Sequence, residues 1–64
     1  MFVIESNTGI VSGFLRKHQI VQVTDSPEYF KKFKTENAAT KWAEKYANAG
    51  YGLGSFTVKS IKEV

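Results

Sequence analysis

Cysteine is absent from this 64-residue chain, which excludes a disulfide staple and a thiolate metal site. There is one proline and one histidine, so neither a proline-rich linker nor a histidine cluster is available. Acidic residues are the minority, six against nine lysines and arginines, for a net charge of +3. That balance argues against an acidic mimic of DNA, and it permits nucleic-acid contact without requiring it. No apolar run approaches the ~20 residues of a membrane span. The opening "MFVIES" has no basic region leading into a long apolar stretch, so no signal peptide is expected. These absences together lead us to expect a soluble, cytoplasmic protein with no cofactor.

What remains for stability is apolar contact. Hydrophobic residues make up 42% of the chain and charged ones 23%, with one tryptophan, three tyrosines and five phenylalanines. That is the composition of a folded domain rather than of a disordered tail. The length allows a single domain, 1–64. A chain this short buries only ~60% of the surface its unfolded form exposes.

Residues Phe2–Ser6 are apolar and β-branched, as in a strand. "SNTG" follows as a turn and makes a hairpin with residues 10–15, where Gly13 is a possible bulge. After the polar turn "RKHQ", Ile20–Thr24 reads as a third strand. Pro27, preceded by Asp25 and Ser26 as possible caps, starts one helical turn carrying Tyr29, Phe30 and Phe33. The main helix begins after the cap Thr35, carries Ala39, Trp42, Ala43, Tyr46 and Ala47 along one stripe, and stops at Gly50. Residues 50–55 form a flexible connector. Residues 56–64 read as a last strand, in which Ile61 breaks the parity of Phe56 and Val58. The expected fold is α+β, an antiparallel sheet of about four strands (β-β-β-α-β) with one helix packed on one face.

One helix covers only one face of such a sheet. Strict alternation puts Phe2 and Ile4 on one side and Met1 and Val3 on the other. It likewise separates Ile10, Ser12 and Phe14 from Val11, Gly13 and Leu15. Both sides of the first hairpin are therefore apolar. Cover could come from the 29–33 turn, from the 50–54 loop, or from another protein. On the last reading the docking surface is Met1, Val3, Val11, Leu15 and Tyr29 with a basic rim of Lys31, Lys32 and Lys34. The opposite face of the hairpin then packs beneath Trp42 and Tyr46.

Catalytic signals are weak. His18 sits in a polar turn beside Arg16 and Lys17, where a solvated role needs no partner. The carboxylates are scattered, and no serine lies in a nucleophile elbow. The glycines at 50, 52 and 54 follow a helix C-terminus, the wrong end for cradling a phosphate. Lys31, Lys32 and Lys34, interleaved with aromatic rings, are the best case for nucleic acid. Arg16, Lys17, Lys59 and Lys62 extend that patch if they share its face. The expected chain is not an enzyme.

The segments "FVIES", "TGIVSGF", "TDSPEYFKKFKTENAATKWAEKY" and the terminal "FTVKSIKEV" resemble very small accessory proteins of bacteriophages and prophages. In size and element order the chain is more distantly similar to the small inhibitor of host RNA polymerase from phage T7. The resemblance implies a protein that binds and inhibits a bacterial host or antiviral-defence protein by contact. It carries no catalytic or ligand residues across. A basic nucleic-acid-binding protein and a homo-oligomer, such as a homodimer, are the alternatives.

Overall fold

A computed structural model of the chain describes residues 1–61. The elements are β1 (Phe2–Ser6), β2 (Gly9–Leu15), β3 (Ile20–Thr24), a 3-10 turn (Pro27–Tyr29), α1 (Glu36–Asn48) and β4 (Phe56–Ser60). The four strands form one antiparallel sheet in the order β3-β2-β1-β4, the small α+β arrangement expected from the sequence. β4 stops at Ser60, although the Ile61 N–H still donates to the Met1 carbonyl at 2.8 Å. The remainder of the expected last strand, 62–64, lies outside the described residues.

Both ends of α1 are fixed by local chemistry. The Thr35 hydroxyl accepts from the Ala38 N–H at 3.1 Å, and Glu36 places a negative charge in the first turn. At the other end Gly50 takes φ +76°. The Gly50 N–H donates to Ala47 and the Tyr51 N–H to Tyr46, each at 3.3 Å. This is the paired bonding of a Schellman stop. The hydrophobic contact that accompanies such a stop is present too, with the Tyr46 and Tyr51 rings 5.7 Å apart.

The strand register decides which side chains meet the helix. Ile4 lies opposite Val58, and Phe14 opposite Val21. Ile4, Val11, Val21, Ala39, Ala43 and Leu53 form the buried core. Strict alternation cannot place Val11 and Phe14 on one side, because they are three residues apart. The register between β2 and β3 shifts between Val11 and Gly13, and Gly13 has φ +154° with open space where a Cβ would stand. The extra residue is a β-bulge, which turns the strand by one position. Val11 is therefore completely buried under the helix, and not on the outer face expected from parity.

Helix α1 lies over β1 and β4. The β2 half of that face is filled by rings. Phe33, Trp42, Tyr46, Phe14 and Tyr51 follow one another at centroid spacings of 6.0, 4.3, 4.8 and 5.0 Å. Trp42 and Tyr46 thus seat the helix as expected, and Leu53 from the connector completes the core.

Two substitutions test the helix ends by urea unfolding. Thr35→Ala removes the cap and is expected to cost about 1 kcal/mol. Gly50→Ala forces a side chain into the left-handed region and is expected to cost about 1–2 kcal/mol. A loss within 0.3 kcal/mol (about the resolution of the method) at both positions would contradict the assigned helix ends.

Candidate protein-docking surface

The first hairpin is short. β1 pairs with β2 only at Glu5–Ile10 and Ser6–Gly9. Beyond that point the segment leading to the helix lies between the strands. The Phe2 N–H donates to the Phe33 carbonyl at 2.9 Å, and the Phe33 N–H donates back to Phe2 at 2.8 Å. On the β2 side, the Lys31 N–H donates to the Val11 carbonyl at 2.9 Å. Residues 31–33 thus bridge backbone groups that the parting strands leave unmet.

This bridge overturns a second expectation. Val3 faces away from the helix, opposite Lys59, yet it is only 1% exposed. The chain roofs it by itself. An antiparallel bridge pairs Phe33 with Phe2, so Phe33 is on the helix side. The Lys31 ammonium lies over the Phe33 and Trp42 rings, so Lys31 is on the helix side as well. Phe30 is half-buried. Val3 and Val11 are interior residues and are withdrawn from the docking surface.

The other expected surface residues scatter. Met1 is exposed, but it lies at the β1–β4 end, where its carbonyl accepts from Ile61. Leu15 is half-buried opposite Ile20. The Lys31 ammonium lies 5.3 Å from the centre of the Phe33 ring and 5.7 Å from that of Trp42. That charge is spent on the aromatic row rather than held in a solvent-facing rim. Lys32 and Lys34 are exposed. With the Lys31 ammonium held over the rings, the three lysines do not make a single solvent-facing row.

Tyr29 alone among the expected apolar surface residues stands well out, at 64% exposed. It flanks a groove of about 360 Å³ whose other walls are Ser12, Gln22, Val23 and Thr24. Val23 is 38% exposed. Three local features build this groove. The bulge at Ser12 bends β2. The Thr24 hydroxyl accepts from the Ser26 N–H at 3.1 Å, which turns the chain out of β3. The 3-10 turn, closed by the Tyr29 and Phe30 N–H groups bonding to Ser26 and Pro27 at 3.0 and 3.3 Å, then lifts Tyr29 beside the strand. The Ser26 hydroxyl makes no capping bond.

Val23 was missed from the sequence because it has the parity of Val21, a core residue. Its exposure comes from position: β3 is an edge strand, and the helix sits over the far half of the sheet. Parity gives the face, but not the distance from the covering helix.

Among the described residues no cluster of three or more histidine, aspartate or glutamate side chains forms, and no helix is long and apolar enough to cross a membrane. Comparison of the chain with family models, with curated proteins and with solved structures returns no match.

A pair of variants separates interior from surface. Val3→Asp buries an unpaired carboxylate, and the chain is expected to lose its folded circular dichroism at 25 °C. Tyr29→Ala is expected to change unfolding free energy by no more than about 0.5 kcal/mol. A folded Val3→Asp variant would show that the roof over Val3 is not there.

Proposed function

We propose that this protein acts by binding another protein rather than by catalysis, and that its target is a bacterial host or antiviral-defence protein that it inhibits by covering a working surface. The observation that carries the reading is the exposed Tyr29 ring beside exposed Val23 at the rim of a polar groove. Tyrosine is a favoured interface anchor, because its ring adds contact area while its hydroxyl finds a polar partner. Gln22, Thr24 and Ser12 supply donors and acceptors around it. A standard interface takes ~800 Å² from each partner, about a sixth of the 4585 Å² this chain exposes. A domain of this size can therefore occlude a larger protein without a catalytic pocket of its own. The resemblance of the sequence to small phage accessory proteins supports the same reading, and the proposed place of action is the host cytoplasm.

The test uses the full chain as bait in bacterial lysate, followed by reconstitution with the captured protein. Tyr29→Ala and Val23→Glu are each expected to weaken binding at least tenfold while leaving the unfolding midpoint in place. The wild type is expected to inhibit the partner's activity at stoichiometric ratio. Capture indifferent to both substitutions would contradict the groove. Retention of nucleic acid alone, with affinity falling steeply as salt rises, would replace the reading with a nucleic-acid-binding one.

A further inference from the structure

The two edges of the sheet are treated differently. At β3 the outward Val21 N–H is bonded to the Tyr51 carbonyl at 2.8 Å, and the connector at Gly52 lies against Ile20. β4 has no such cover. Among the described residues its one strand partner is β1, and no backbone or side-chain group bonds to its outer side.

The groups on that outer side can be identified. Met1 and Ile61 exchange both bonds, Ile61 N–H to Met1 carbonyl at 2.8 Å and the Met1 ammonium to the Ile61 carbonyl at 3.4 Å. They are thus a hydrogen-bonded pair of the antiparallel ladder. Such pairs alternate with non-bonded ones whose N–H and C=O groups point away from the partner strand. Counting along the register makes Lys59 and Thr57 inward-bonded, and Phe56, Val58 and Ser60 outward. The β1 side agrees independently. Phe2, opposite Ser60, sends both its backbone groups away from β4 to Phe33.

Natural edges are usually guarded by proline, a bulge or an outward charge. β4 has neither proline nor any register shift against β1. Its one charge, Lys59, is drawn back over the sheet to Glu5 on β1, at 3.0 Å.

We propose that the outer edge of β4 pairs antiparallel with β4 of a second copy, about a two-fold axis at Val58, to give a continuous eight-stranded sheet. The edge is self-complementary in that register. Val58 exchanges both bonds with its twin, and Phe56 stands opposite Ser60. On the other face Thr57 stands opposite Lys59, so no like charges oppose each other. Phe56 and Val58, both half-buried on the helix side, extend the two apolar layers into one. A five-residue ladder buries less than the ~800 Å² per partner of a standard interface, so the dimer is weak and concentration-dependent. This inference stands apart from the proposed target site, which lies at the opposite edge of the sheet.

Analytical ultracentrifugation and amide hydrogen exchange of the full chain test it. Near 1 mM protein, roughly the range where a weak interface populates, the mass is expected to approach twice 7.2 kDa. The amides of Phe56, Val58 and Ser60 are expected to slow about tenfold or more between dilute and concentrated samples. Val58→Pro removes the outward N–H, which edge positions tolerate, along with the half-buried valine side chain, and is expected to sediment as a monomer. Backbone N-methylation of Val58 in a synthetic chain is expected to do the same. A wild type monomeric at 1 mM with those three amides exchanging freely would overturn the proposal. So would dimerisation in which they remain unprotected, or a folded N-methyl chain that still dimerises.

Discussion

The β-bulge between Val11 and Gly13 is the constraint from which the rest of the structure follows. Without the extra residue, Val11 and Phe14 would lie on opposite faces, and the helix would have either the aliphatic or the aromatic half of its seat. With it, Val11, Phe14 and Val21 share the helix side with Ile4. A sheet this small cannot lose one of these contributions. The chain has no cysteine for a disulfide and, among the described residues, no buried charged side chain to compensate, and the margin of stability for a domain is only a few kcal/mol.

A second constraint lies at the mouth of the hairpin. β1 and β2 pair at only two positions before they separate. The gap is filled by the Lys31–Phe33 segment, whose backbone bonds to both strands. Phe33 and the Lys31 ammonium of that segment turn toward Trp42 under the helix. A stretch that reads as a basic, aromatic binding surface is in large part a structural strap. Its removal would leave the backbone groups of Phe2 and Val11 that it bonds without those partners.

The sequence showed the element order, the helix with its cap and stop, the 3-10 turn at Pro27 and the seating role of Trp42 and Tyr46. Each rests on local signals: a hydroxyl before a helical stripe, a glycine after it, a proline at a first turn. The sequence did not show which face Val11 occupies, because Gly13 permits a bulge without requiring one. Nor did it show that residues 31–33 fill the hairpin fork, pairing with positions about twenty and about thirty residues away. The candidate groove was half legible. Tyr29 could be picked out as a ring at the end of a short turn, but Val23 carries a core residue's parity and owes its exposure to tertiary placement alone.

The account rests on the strap being part of the cooperative core. Native-state amide hydrogen exchange at Phe2, Lys31 and Phe33 measures this directly, since those three N–H groups make the cross-fork bonds. Protection at all three equal to that of the Ala43 amide, within about 1 kcal/mol of the global unfolding free energy, is the result the account predicts. Exchange of Lys31 and Phe33 at rates typical of an open loop, with Ala43 still protected, would contradict it.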